Sequence, residues 1–168
     1  RLKHLGIDLD DTQAEQSFER FKRVADKKKQ IFDEDLVAIV EDEIRPVEKT
    51  WDLVSLATQS GTNIRTEVTI VLKSKTKTYK KSSSGDGPVD ACYKAIDAIS
   101  KVKGKLLDYT IHSVTQGKDA LGEVTIKVKF KNKSVIAHGA STDILEASAK
   151  AYINALNKVV APIKSPGK

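Results

Sequence analysis

The chain repeats its own sequence after about 56 residues. The segment TEVTIVLK at 66–73 returns as GEVTIKVK at 122–129, and the helical segment KAIDAI at 94–99 corresponds to AYINAL at 151–156. Each copy also contains a second strand-like run and a turn of small residues between these segments. A unit of this length is too long for most solenoid repeats and suits one half of a pseudo-symmetric domain. The repeat therefore predicts two similar units that pack on each other, with a groove between them as a natural place for a ligand.

The pattern of apolar residues predicts the same order of elements in both halves. Alternation is typical of strands with one buried face, and alanine-rich runs with three- and four-residue spacing are typical of helices. Pro88 stands in the first turn of the first helix, where proline is best tolerated. The predicted elements are strands at 51–60, 65–74 and 76–83 with a helix at 88–102, then strands at 107–115, 122–131 and 134–138 with a helix at 142–159. Because the strands precede the helix in each half, the sequence predicts the α+β class: two pseudo-symmetric βββα units with antiparallel sheets, rather than a parallel wound sheet.

The first 45 residues differ from the repeat and are predicted to form a small helical linker subdomain. Asp11 or Thr12 is placed to cap a helix over 12–29, whose apolar stripe is formed by Phe18, Phe21, Val24 and Ala25. A second helix is predicted from 33 or 34 to about 44, before Pro46, with the apolar face Leu36, Val37, Ile39 and Val40. The predicted domains are thus 1–45 and 46–168, with repeat units at about 50–104 and 105–161. Two narrow stripes cannot be buried on each other alone, so we expect these helices to dock on a further surface.

The net charge of +6 raises a nucleic-acid-binding hypothesis, because the basic run KSKTKTYKK lies at 73–81. Alternating lysine and threonine is also typical of the solvated face of a sheet, or of an edge strand protected against aggregation. No nucleic-acid motif accompanies the run, and aromatic residues and arginine are scarce, so the sequence favours a solvated strand. There is no stretch of about 18 apolar residues and no apolar N-terminal signal region. We therefore expect a soluble, cytoplasmic protein without a membrane segment.

Two turns that lead into the predicted helices are the most unusual local sequences. SSSGDGP at 82–88 and GASTD at 139–143 place small, conformationally permissive residues directly before a helix start. Unpaired backbone amides and the positive end of the helix dipole converge there, so either turn could hold a carboxylate or a phosphate. Ordinary turn and cap chemistry is the alternative. The match is not a phosphate-binding fingerprint, since no lysine follows the glycines as a P-loop requires.

Residues with the chemistry for catalysis or metal binding are not arranged for either purpose. His4, His112 and His138 have no metal-ligand spacing, and the serines at 82–84 lack the elbow context of a nucleophilic serine. The single cysteine, Cys92, lies on the helical pattern and is predicted to be a buried, unreactive thiol. We predict no catalytic residue, no metal site and no cofactor in this chain, which indicates a binding module.

Several motifs in order resemble the C-terminal regulatory domain of 2-isopropylmalate synthases. They are SGDGPVDA at 84–91, LDY at 107–109, TQGKDALGEV at 115–124, and STDI at 141–144 followed by ASAKAY at 147–152 and ALNK at 155–158. Segments 18–29 and 33–40 are similar to the helical subdomain that connects the catalytic barrel of these enzymes to the regulatory domain. The related citramalate synthases, which use pyruvate and are inhibited by isoleucine, are the alternative. The motif at 115–124 and the helix at 147–158 favour the isopropylmalate branch.

The resemblance implies the non-catalytic, regulatory portion of an acyltransferase. Its effector would be leucine, alternatively isoleucine, acting in feedback inhibition of the condensation of acetyl-CoA with 2-oxoisovalerate in leucine biosynthesis. Its protein partners would be a second copy in a homodimer and the catalytic barrel of the same parent chain; membrane and nucleic acid are disfavoured. The metal-binding and CoA-binding motifs of the barrel are not in this sequence. The family's divalent metal is therefore implied for the barrel and not for this chain.

The effector pocket of the family carries over to two groups of residues. The first group would receive the ammonium and carboxylate groups of the amino acid at the two helix-start turns: Gly85, Asp86, Gly87, Val89, Asp90, Asp143 and Ile144. The second group would shape the room for a branched aliphatic side chain: Leu106, Tyr109, Ser113, Ala120 and Gly122. Many relatives carry alanine where Ser113 stands. A hydroxyl group beside the apolar part of the pocket leaves both leucine and isoleucine open as the effector.

Overall fold

The structure, a computed structural model, describes residues 9–26, 36, 40, 49–113 and 121–160. The compact unit Lys49–Ala161 contains two βββα units in sequence order, which confirms the predicted α+β class. Its elements are β1 (Asp52–Gly61), β2 (Ile64–Ser74), β3 (Lys77–Ser84), α1 (Pro88–Ser100), β4 (Gly104–Ser113), β5 (Gly122–Phe130), β6 (Lys133–Ser141) and α2 (Ile144–Val160). The predicted domain and repeat boundaries stay predictions.

Each unit has a three-stranded antiparallel sheet, ordered β1-β2-β3 in the first and β4-β5-β6 in the second. The repeated segments at 66–73 and 122–129 form the two central strands. Their alternating apolar residues are fully buried because one face of each sheet is covered: Val68, Ile70 and Leu72 in β2, and Val124, Ile126 and Val128 in β5. The basic run at 73–81 lies at the β2–β3 hairpin, where all its lysines are exposed, as a solvated edge strand requires.

Two strands extend three residues beyond one of their predicted bounds. β4 begins at Gly104 rather than 107, because a bulge at Leu107 shifts the register between Leu106 and Asp108 and interrupts the period-two pattern. β6 continues to Ser141 rather than ending at 138. Its last residues are small and look like a turn, yet Gly139 and Ala140 pair with β5. Positions 114 and 115 of the predicted strand 107–115 lie outside the described residues.

The two helices of the unit pack on each other in the same direction. The Tyr93 hydroxyl donates to the Ser148 carbonyl at 3.1 Å, and the Tyr152 hydroxyl donates to Asp97 Oδ1 at 2.6 Å. Four residues along α1, from Tyr93 to Asp97, thus correspond to four residues along α2, from Ser148 to Tyr152. The two helices are therefore parallel. The rings of Tyr93 and Tyr152 stack at a centroid distance of 4.1 Å between these two contacts. The N-terminal turns of both helices consequently lie at the same end of the pair.

The helix before residue 49, which we call αN, spans Asp11–Ala25. Its cap is Asp10 rather than the predicted Asp11 or Thr12: the Gln13 amide donates to Asp10 Oδ1 at 2.8 Å, and the Asp10 amide donates to Gln13 Oε1 at 3.2 Å. This reciprocal pair is a capping box, with glutamine in the third helical position. The helix ends at Ala25 and Asp26 lies in a turn, whereas positions 27–29 of the predicted helix lie outside the described residues. Leu36 and Val40 are helical, whereas the rest of the second predicted helix lies outside the described residues. No helix of the described part has the length and hydrophobicity needed to cross a membrane.

Candidate functional site

The turn between β3 and α1 is held by the side chain of Asp90. The Asp86 amide donates to Asp90 Oδ2 at 3.0 Å, and Lys94 Nζ lies 2.8 Å from the same oxygen. The hydrogen bond from Lys94, followed by that from the Asp86 amide, holds the pKa of the Asp90 carboxyl below its usual value. Asp90 thus fixes the turn, while the Asp86 side chain is exposed. The side chain of Val89 packs against the core.

The two glycines of this turn have different surroundings. A Cβ atom on Gly85 would overlap Asp90 Oδ2 and would lie 2.6 Å from the Ala91 amide nitrogen, so only glycine lets β3 approach the helix start. A Cβ atom on Gly87 would meet no described atom within 4 Å, and the extended backbone of Gly87 suits any residue. The outer side of the turn is therefore open at Gly87.

The two helix starts differ in their caps. At α1, no side chain among the described residues makes a capping hydrogen bond at Gly87, and Pro88 has no amide hydrogen. The remaining first-turn amides of α1 are therefore open to an external acceptor. At α2, Asp143 Oδ1 accepts a hydrogen bond of 3.0 Å from the Glu146 amide. The carboxylate of Asp143 thus caps the start of α2, whereas no described side chain caps the start of α1.

One face of β4, formed by Tyr109, Ile111 and Ser113, is an apolar wall that is partly exposed to solvent. Residues paired across antiparallel strands point to the same face, and Tyr109, Ile111 and Ser113 pair with Ile126, Val124 and Gly122, whose side is buried. Ile111 is nonetheless 50% exposed. Ile111 was not among the wall residues predicted from the sequence. The alternation of strand residues does predict it, because Ile111 lies on the same face as Tyr109 and Ser113.

The structure brings several of the predicted wall residues together at the start of α2. Ser113 pairs with Gly122, and a Cβ atom on Gly122 would overlap the Ile144 side chain, which is 37% exposed. Tyr109 reaches the same place through a hydrogen bond to Ser148. Leu106, by contrast, pairs with Val128 near the other end of β4, roughly 20 Å from Ser113 at the usual rise per residue. Ala120 lies outside the described residues.

A separate open cleft of about 410 Å³ contains none of the predicted site residues. Its polar groups already have partners within the protein: Lys150 pairs with Glu146 at 2.7 Å, and His138 Nδ1 lies 2.8 Å from the Thr125 hydroxyl. These groups gain little by exchanging one partner for another, so we do not place the effector there. The cleft is lined by Lys49, Trp51, Asp52, Leu53, Glu123, His138, Gly139, Ala140, Lys150, Ile153 and Asn154.

The described residues show little that suggests nucleophilic or metal chemistry. No three or more histidine, cysteine or acidic side chains in the described ranges lie close enough together to hold a metal ion. Cys92 is a buried, free thiol, and burial raises its pKa to about 12. The thiol is therefore protonated at neutral pH and unreactive, as its position on the helical pattern predicted.

Comparison with known proteins identifies the family of this fold. Residues 30–160 match the family model of the LeuA allosteric (dimerisation) domain. The chain belongs to this family. The 2-isopropylmalate synthase of Pelotomaculum thermopropionicum is 46% identical over 161 residues, 95% of this chain and 32% of that protein. Those of Heliobacterium modesticaldum and a Nostoc species are 44% and 41% identical, over 95% and 100% of this chain.

These matches confirm the resemblance stated from the sequence motifs. The chain spans about a third of the length of the 2-isopropylmalate synthases that it matches. Within that third, the LeuA allosteric domain family accounts for both βββα units and for part of the preceding segment. The chain is thus similar to the regulatory portion of enzymes of leucine biosynthesis.

Proposed function

We propose that this LeuA allosteric domain binds leucine as the feedback inhibitor of a 2-isopropylmalate synthase. The observation that carries the proposal is the common direction of α1 and α2. It places the uncapped start of α1 at the same end as the half-exposed apolar group at the start of α2. An amino acid needs this combination of charged-group recognition and apolar surface.

The chemistry of the site fits an α-amino acid. The first-turn amides of α1 and the positive end of its dipole stabilise a carboxylate. The exposed carboxylate of Asp86 and the carbonyl groups of the turn suit an ammonium group. Tyr109, Ile111 and Ile144 offer a branched aliphatic side chain a surface to cover. Each buried methylene contributes about 0.8 kcal/mol, so this surface supplies a large part of the binding free energy.

The proposal extends to a homodimer and to the catalytic barrel of the same parent chain. Leucine inhibits if it binds one arrangement of the dimer more tightly than another, because only such a difference shifts the equilibrium between them. The acyl transfer, with its divalent metal, is assigned to the barrel. The hydroxyl group of Ser113 beside the apolar wall keeps isoleucine, and thus a citramalate synthase, as the alternative.

Titration calorimetry of the 168-residue chain with leucine, isoleucine and valine tests the proposal. We expect leucine to bind most tightly. Tighter binding of isoleucine would favour the citramalate synthase alternative. A pocket can separate two ligands that differ in the position of one methyl group by about 1–3 kcal/mol of binding free energy. A folded chain that binds none of the three would overturn the proposal.

The two variants Gly87→Asp and Gly87→Asn locate the carboxylate of the effector. A Cβ atom at Gly87 would meet no described atom within 4 Å, so we expect both variants to fold. Aspartate adds a negative charge where the effector carboxylate is held, whereas asparagine adds nearly the same volume without charge. We expect at least a tenfold loss of leucine affinity in Gly87→Asp, about 1.4 kcal/mol, and a much smaller loss in Gly87→Asn. Equal affinities in the two variants would remove this turn from the site.

A further inference from the structure

We propose that Ser148 positions the apolar wall of the effector site through a relay of two hydrogen bonds. The relay runs from the Tyr109 hydroxyl to Ser148 Oγ and from Ser148 Oγ to the Ile144 carbonyl. It rests on the proposed function, since it specifies how the same site is held. Ser148 belongs to neither helix-start turn and was not among the residues predicted from the sequence.

The direction of the relay follows from the number of hydrogens. Ser148 Oγ lies 2.7 Å from the Ile144 carbonyl oxygen, which can only accept, so serine donates its single hydroxyl hydrogen there. In the 2.6 Å contact between Tyr109 and Ser148, the donor must therefore be the tyrosine hydroxyl. Both hydrogens are used, and the order Tyr109 to Ser148 to Ile144 is fixed.

Ser148 also contacts the other helix of the unit. Its backbone carbonyl accepts the hydrogen bond of 3.1 Å from the Tyr93 hydroxyl of α1. One residue thus contacts β4, the first turn of α2 and α1, each of which carries proposed effector residues. Tyr109 reaches Ser148 from β4, and Tyr93 reaches it from α1. A shift of α2 relative to these two elements would therefore strain both contacts.

The cost of a buried hydroxyl group argues for a role beyond helix formation. Ser148 is 0% exposed and lies among buried alanines at 147, 149 and 151. Alanine has the higher helix propensity, and a serine that bonds back to the preceding turn slightly destabilises a helix. A buried polar group is tolerated only when it is hydrogen-bonded, and here the partners are the Ile144 carbonyl and the hydroxyl group of the wall residue Tyr109. The relay explains the serine at this position.

The relay sets the separation between Tyr109 and the first turn of α2. Ile144 is the residue whose carbonyl accepts the relay and whose side chain lies against Gly122. A branched aliphatic side chain between β4 and this turn would meet walls whose spacing the relay fixes. Since leucine and isoleucine differ only in the place of one methyl group, a fixed spacing favours one of them.

The test compares Tyr109→Phe, Ser148→Ala and the double variant with a matched control, Tyr152→Phe. The control removes the same hydroxyl group from a neighbouring tyrosine, whose hydrogen bond to Asp97 lies further from the helix starts. Leucine and isoleucine affinities are measured by titration calorimetry, and melting temperatures by circular dichroism. Tyr109→Phe keeps the shape of the side chain, so it tests the relay even if Ser148→Ala proves unstable.

We expect each relay variant to lose about tenfold in leucine affinity and to lower the ratio of leucine to isoleucine affinity. The double variant should lose little more than either single variant, because each change breaks the same relay. Tyr152→Phe should lower the melting temperature and leave both affinities unchanged. Relay variants that melt earlier but retain leucine affinity and selectivity would overturn this inference and leave the proposed function intact. A wild-type chain that binds no branched-chain amino acid would overturn both.

Discussion

The hydroxyl group of Tyr152 donates a hydrogen bond of 2.6 Å to Asp97 Oδ1, which joins α2 to α1. The same oxygen lies 3.4 Å from the Gly104 amide at the first residue of β4. Burial raises the pKa of the Asp97 carboxyl above its ordinary value, although both hydrogen bonds act in the opposite direction. Asp97 thus ties both helices to the start of the wall strand, at the cost of partial desolvation.

Removing the donor of this contact should destabilise the domain. Tyr152→Phe leaves a partly buried carboxyl group short of one partner, and the expected loss of unfolding free energy is about 1–3 kcal/mol. Urea denaturation followed by circular dichroism measures it. An unchanged midpoint would show that water replaces the hydroxyl group without cost.

The raised pKa of Asp97 makes stability depend on pH in a defined direction. The unfolded chain releases this proton near the ordinary pKa of 3.8, before the folded chain does. The contribution of Asp97 is therefore fully present below pH 3.8 and is lost as the pH rises through the higher folded pKa. The unfolding free energy of the wild type minus that of Asp97→Asn should fall across this window. A difference that rises with pH would contradict the assignment; the subtraction also cancels Asp90, whose lowered pKa acts in the opposite direction.

A third prediction concerns how the start of the first βββα unit is attached to the second. The buried side chain of Asn157 accepts from the Trp51 amide and donates to the Trp51 carbonyl, both at 2.9 Å. Asn157→Ala leaves both backbone groups without these partners, and we expect a loss of about 2–4 kcal/mol in unfolding free energy. Asn154→Ala, on the exposed side of the same helix, breaks one bond to the His138 carbonyl and should cost about 1 kcal/mol or less. Equal losses in the two variants would contradict the special role of Asn157.

The two glycines of the β3–α1 turn should respond differently to the same substitution. Gly85→Ala forces a methyl group into Asp90 and the Ala91 amide, and such overpacking costs about 1–3 kcal/mol. Gly87→Ala enters open space with an allowed backbone conformation and should change stability by less than about 0.5 kcal/mol. Thermal denaturation of both variants measures the difference. A Gly85→Ala variant as stable as Gly87→Ala would mean that the turn opens easily.

The sequence predicted the fold well because its signals are local. Period-two alternation marks the central strands, and Pro88 marks the start of α1, so the order and type of every element in the repeat were predictable. The errors lie where local signals fail. The bulge at Leu107 hid the beginning of β4, and the small residues after His138 concealed the end of β6. At αN, Asp10 was preferred over Asp11 as the cap, because the choice depends on which side chain reaches the Gln13 amide.

The candidate site was predictable only in part. The family motifs indicated the turn at 85–87 and the residues Tyr109, Ser113, Gly122 and Ile144. They did not indicate Ile111, whose exposure depends on how little of the β4 face the helices cover. They also did not indicate Ser148, which in an alanine-rich helix looks like any small residue until its contacts with Tyr109 and Tyr93 are known.

The sequence by itself determined that the chain is a duplicated βββα domain, because repeated periodicity and turn chemistry act within a few residues. The tertiary structure decided that α1 and α2 run in the same direction, since that depends on contacts between residues 55 apart in the chain. It also decided the asymmetry between the copies. Asp143 caps α2, whereas no described side chain caps α1, and one face of β4 stays half exposed. The two equivalent turns therefore differ, because a hydrogen bond from within the protein caps one helix start and not the other.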